Sequence, residues 1–193
     1  VDAVEQDATG RTIVAKWEET QPGSSDADSV MTDCQKIGEY TTSLSQASAA
    51  QLANAWKAGG LLAGLQVGPG ESVSLLAVLG DMTEEEGWQT AEVIGADDLT
   101  EEVGGGASQV ASTLYAALLQ AEVQVDTHAH HAWAPDYIAP GLDARLCAAE
   151  NIDLVFTNPY DKPIYILVNA DGSKEKTLSV EVYGAPLGYT VEI

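Results

Sequence analysis

The chain has 193 residues, 45% hydrophobic and 20% charged, enough for one substantial core with or without a small appendage. Eight basic residues face 30 acidic ones, a formal net charge of −22. This balance excludes nucleic acid and anionic membrane surfaces as expected partners, because both need clustered Lys and Arg. A solvated acidic surface accounts for the charge, with a basic partner as the alternative. No run of 18 apolar residues occurs, so no span across a membrane is expected in this segment.

In chain order, residues 1–30 read as an extension or linker, weakly structured, ahead of a main domain at 31–193. Residues 11–17 alternate as a strand does, and 21–28 form a polar linker. Residues 38–44 are β-branched and aromatic, which predicts a strand. Ser48 and Gln51 have capping-box spacing. The helix they open carries Ala49, Leu52, Ala53 and Trp56 on one face and is expected to end near Gly59 and Gly60. Residues 72–79 predict an apolar strand. Residues 83–86 predict a short helix or turn, and 91–94 a short strand. The helix at 109–120 is the strongest element, with Val110, Leu114 and Leu118 in one stripe. Residues 122–126 predict a strand, and 128–140 an irregular loop. Four more strand candidates follow at 142–146, 152–157, 164–169 and 178–183. Helices early and strands late predict an α+β fold: two main helices on a mostly antiparallel sheet, with a strand-rich C-terminal third.

The stretch Gly104, Gly105, Gly106, Ala107, Ser108, Gln109 carries the most chemical information. A triple glycine runs into a helix start, where backbone N–H groups are unpaired and the dipole is positive. Such glycines allow close approach to a ligand. Ser108 is either a nucleophile needing a base or an N-cap accepting from Val110 or Ala111. His128, His130 and His131 are all the histidines in the chain. One of them is a candidate general base, with loop structure or a metal site as alternatives. The spacing lacks a distant partner, and no metal or cofactor is expected. Asp143 either orients a histidine or closes the turn at Pro140 and Gly141. Trp133 and Tyr137 either line a groove or pack on the sheet. Cys34 and Cys147 are too few for a disulfide framework; they either pair or remain separate buried thiols.

Several pieces occur together in order: Tyr40-Thr41-Thr42, Pro69-Gly70-Glu71, the 104–115 block, His131 six residues before Tyr137, Gly141 to Ala144, and Ile152 to Asn158. In this, the chain from about Cys34 to Tyr183 resembles the VanW family, bacterial envelope proteins named for a vancomycin-resistance gene cluster. The family pattern is Gly-Gly-Gly-x-Cys-Gln. This chain has Ser108 at the cysteine position and keeps Gln109. Of the family's downstream histidine pair, only His131 registers.

The resemblance implies an extracellular or cell-envelope setting near peptidoglycan and its peptide termini. It casts Ser108 as nucleophile and His131 as base, with Asp143 or Gln109 in an orienting or oxyanion role. Gly105, Gly106, Gln109, Trp133 and Tyr137 are then the residues expected to bind substrate. The chain then reads as a segment of a longer protein whose export signal or anchor lies elsewhere. A thiol at a helix start beside an imidazole ionises near neutral pH, whereas a serine hydroxyl does not. The expectation is therefore a weakened hydrolase-like site, or a non-catalytic module that binds wall peptide or glycan.

Overall fold

The computed structural model describes residues 34–95, 97–171 and 176–193, with two strands at 4–6 and 12–14. The chain divides into two compact units, Val1–Thr32 and Asp33–Ile193. In the first, β1 (Val4–Gln6) pairs antiparallel with β2 (Thr12–Val14). The rest of the strand predicted at 11–17, and the predicted linker at 21–28, lie outside the described residues.

The second unit is built on a four-stranded antiparallel sheet, in the order β3 (Gln35–Ser43), β11 (Thr177–Gly184), β10 (Ile164–Asp171) and β4 (Leu65–Val67). Along β11 every second residue is buried, so Leu178, Val180 and Val182 face the core. Two long helices cover this face. Helix α3 (Ala107–Gln120) packs on β3 and β11, and α1 (Ala49–Leu62) packs on β10 and on α3. A second sheet runs β5 (Ser72–Ser74), β9 (Val155–Thr157), β8 (Gln124–Thr127). Strands β6 (Thr90–Ile94) and β7 (Leu99–Val103) form a separate hairpin. The fold is α+β with a strand-rich C-terminal part.

Helix α1 has the predicted capping box, with Ser48 Oγ accepting from Gln51 N and Gln51 Oε1 accepting from Ser48 N. It does not stop at Gly59. That glycine packs against Val168, where a Cβ would stand 3.0 Å from Cγ1, and the helix continues to Leu62. Its buried face is Asn54, Ala55, Ala58, Gly59 and Leu62, not the predicted one; Trp56 is 45% exposed. Small residues let α1 sit close to the sheet, and the polar Asn54 turns inward because it finds partners there.

Helix α3 is buried on nearly every side, including the predicted stripe of Val110, Leu114 and Leu118. Strand β3 crosses it at Gly38, where a Cβ would lie 2.3 Å from the Ala117 carbonyl oxygen.

The predicted strand at 72–79 splits. Ser74 caps a short helix α2 (Leu75–Leu79) through Ala77 N, and Asp153 binds both Ser74 Oγ and Leu76 N. An apolar run alone does not reveal its period. Residues 142–146 join no sheet, and the polar composition of β7 hides it from a hydrophobic pattern.

The Pro69-Gly70-Glu71 and Asn158 pieces prove to be one structural device. Gly70 N donates to Asn158 O, and Asn158 N donates to Glu71 O. The buried Asn158 amide ties Val67, Gly68 and Lys162 carbonyls together.

Candidate functional site

The triple glycine is fixed by backbone geometry before any ligand is considered. Gly104 and Gly106 have φ of +89° and +105°, a region L side chains rarely adopt. A Cβ on Gly105 would lie 2.7 Å from the Ala91 carbonyl oxygen, and one on Gly106 would lie 2.6 Å from that of Gln51. The amides of Gly104, Gly105 and Ala107 donate to the carbonyls of Gln89, Glu102 and Gly104. Asn54 Nδ2 donates to the Gly105 and Gln89 carbonyls, both at 2.8 Å. Gly104 and Gly105 are therefore packed and bonded rather than part of an open cradle of donors.

Gly106, not Ser108, is the N-cap of α3. Ser108 is the second helical residue, and its hydroxyl does something the sequence did not suggest. Oγ accepts from Leu146 N at 3.1 Å and faces the Leu146 carbonyl at 3.4 Å. One turn later, Ser112 Oγ accepts from Ala144 N at 2.9 Å and donates to Ser108 O at 2.7 Å. Two residues of extended chain advance about 6.7 Å, and four helical residues advance about 6 Å. Serines at i and i+4 thus match backbone groups at j and j+2. They clip the 143–146 segment along α3, which supplies the backbone partners that a sheet would otherwise give it.

That clip positions the acid. Asp143, 4% exposed, accepts from His131 N and His131 Nδ1, both at 2.8 Å, and from His130 Nδ1 at 3.0 Å. With Nδ1 donating to Asp143, the Nε2 lone pair of His131 is left as an acceptor. Burial pushes the His131 ring below its ordinary pKa, against the pull of Asp143. Burial also opposes the ionised Asp143, but its bonds from the His131 amide and ring outweigh this and hold the carboxyl low. His128 is structural. It stacks on Tyr115 at 4.2 Å, and its Nε2 donates to the Asp143 carbonyl at 2.9 Å.

Ser108 and His131 line one cleft of about 470 Å³, together with Gly106, Gln109, Trp133 and Tyr137. Among the described residues no hydrogen bond joins the Ser108 hydroxyl to His131. Asp143 stands behind His131. Gly105 lies behind the wall, because its packing against Ala91 takes it out of the lining. Gln109 Nε2 is committed to Thr42 Oγ1 and Ser43 O, tying α3 to the end of β3. Tyr137, whose hydroxyl meets Ser112 Oγ at 3.4 Å, has its phenol pKa raised by burial. Trp133 is 40% exposed. Among the described residues no group of three His, Cys, Asp or Glu is placed to hold a metal ion. Cys34 and Cys147 are both free thiols.

A family model described as VanW like protein matches residues 50–183. The chain belongs to the VanW family. The match begins inside α1, so Tyr40 to Thr42 lie ahead of it, while the glycine junction and the histidine loop fall within it. A VanW-like relative, the uncharacterized protein YoaR of Bacillus subtilis (strain 168), is 32% identical over 132 residues. That alignment covers 68% of this chain and 43% of YoaR, so the chain spans less than half of that relative's length. No solved structure matches.

Sequence reasoning missed Arg145 and Glu102, which also line the VanW cleft. Arg145 follows the motif Gly141 to Ala144 directly. In a chain with only eight basic residues, that placement was the available signal.

Proposed function

We propose that this VanW domain is a cell-envelope module that holds a peptidoglycan peptide in the Ser108–His131 cleft without turning it over. One observation carries the reading: the hydroxyl at the nucleophile position is engaged by the Leu146 backbone, while the surrounding cleft stays open. A serine at this position needs a base in contact to become a nucleophile, and its hydroxyl is held in the clip. The family's envelope association supports the choice of ligand class, and Trp133 offers an aromatic wall for it.

A second reading, a slow hydrolase, is favoured by one specific feature. His131 is oriented by Asp143 and held neutral by burial, as a general base is. Calorimetry with purified muropeptides, followed by mass spectrometry of the same mixture, separates the two. Saturable binding with intact peptide supports the binding module. Cleavage that is lost in His131→Ala establishes the hydrolase instead.

A further inference from the structure

We propose that Arg145 is the carboxylate-recognition residue of the cleft and that Glu150 occupies its guanidinium until a ligand carboxylate replaces it. The inference rests on the binding reading above and names the ligand group the cleft takes: the free carboxylate of a peptide C-terminus.

Three observations carry it. First, Arg145 lines the same cleft as Ser108 and His131. Its side chain is only 15% exposed. Its backbone is fixed by Arg145 N donating to Ala129 O at 2.8 Å, between the two residues clipped by Ser112 and Ser108. The backbone that carries the guanidinium is thus held in place. Second, its fork is already in the geometry that reads a planar carboxylate. Nη1 donates to Glu150 Oε2 at 2.9 Å and Nη2 to Glu150 Oε1 at 2.5 Å. Third, the partner is the releasable half of the pair. Glu150 is 54% exposed, on the turn that precedes Asn151 with its positive φ of +53°. Exposed carboxylates cost little to release, since water solvates them well.

The other charged groups of the cleft wall are Glu92, Glu102 and Asp136. A ligand with several negative charges would be repelled by them. A peptide with one carboxylate and a compensating ammonium fits both signs. The guanidinium takes the carboxylate, and the acidic wall tolerates the cation.

The test uses the whole chain and a lysyl-D-alanyl-D-alanine peptide, with its C-terminal carboxamide as control. The free acid is expected to bind at least about 10-fold more tightly than the amide, the scale of one charge-assisted bidentate contact. Arg145→Ala removes that preference. Glu150→Ala vacates the fork and tightens the free acid several-fold while leaving the amide unchanged. A purely structural ion pair gives a different pattern, in which both variants weaken both peptides alike; that result overturns the inference. Equal binding of acid and amide to the parent chain also overturns it, yet leaves the binding module standing. If neither peptide binds, the wall-peptide reading fails as well. A Glu150→Ala crystal soaked with acetate supplies an independent readout of the vacated fork: acetate on Arg145 supports the proposal, and an empty fork contradicts it.

Discussion

The glycine junction at 104–112 and the loop at 128–137 face the same cleft but are built oppositely. At the junction, many polar groups have an intramolecular partner: the amides of Gly104 and Gly105, Asn54, Gln109, and the hydroxyls of Ser108 and Ser112. In the loop, the chain is irregular, yet it presents a buried imidazole with one nitrogen committed to Asp143 and the other without a partner among the described residues. The junction is largely scaffold, whereas the loop brings a histidine to the cleft wall. The difference teaches that packing can account for glycines at a helix start, even when that start sits at the wall of a cleft.

The largest test of this contrast is steric. Gly106→Ala adds a Cβ 2.6 Å from a backbone oxygen at a positive φ. Combining left-handed strain with overpacking, the expected loss is about 3 kcal/mol, measured by urea unfolding. A variant with an unshifted midpoint would return the glycines to a ligand-binding role.

The serine clip comes next. Ser112 is fully buried, so Ser112→Ala strands the Ala144 N–H and is expected to cost roughly 2 kcal/mol. Ser108 is half-buried, and Ser108→Ala is expected to cost about 1 kcal/mol. Equal, negligible losses would remove the clip. Ser108→Cys sharpens the comparison from the chemical side. A thiol at this helix start is expected to titrate below the ordinary value of about 8.5, followed by pH-dependent alkylation. Cys34 and Cys147 serve as internal controls, since burial raises both. An introduced thiol as sluggish as those two would show that the junction does not activate a nucleophile.

The loop is tested by pH. His131 and Asp143 both bind protons more readily in the unfolded chain, because their folded values are lowered. Stability therefore rises with pH across their titrations. On acidification the His131 contribution begins to be lost below about pH 6.5 and that of Asp143 below about pH 3.9. Urea midpoints are expected to fall between about pH 7 and about pH 5.5, and to fall less in His131→Gln. An identical slope in that variant would mean that His131 is not held neutral by the fold.

What was legible in the sequence follows the same division. Local signals survived: the Ser48 capping box, the α3 stripe, and most strands of the main sheet each depend on neighbours a few residues apart. Long-range partnerships did not. Trp56 looked like core and nothing marked Asn54 as buried, because hydrophobicity does not show that Gln89 and Gly105 await the amide. Ser108 looked like a cap or a nucleophile, because its partner Leu146 lies 38 residues away. The association of His131 with Asp143 was only one of two readings open for the acid, because its short segment fits a turn at Pro140 and Gly141 equally well. The engagement of Arg145 by Glu150 was not, since an Arg five residues before a Glu is unremarkable in an acidic chain.

The smallest expected effect on stability concerns the cleft wall. Trp133 is exposed and outside the hydrophobic core. Trp133→Ala is therefore expected to change stability by no more than about 0.5 kcal/mol. If the loop serves ligand rather than fold, the same variant weakens muropeptide binding, because a sugar or peptide face loses its aromatic partner. The ratio of the two effects is the informative quantity. A substitution in the junction lowers stability and binding together, since the cleft is lost with its scaffold. At Trp133, unchanged stability with lost affinity would place the binding surface on the loop, and unchanged affinity would move the ligand toward Arg145 and away from the aromatic wall.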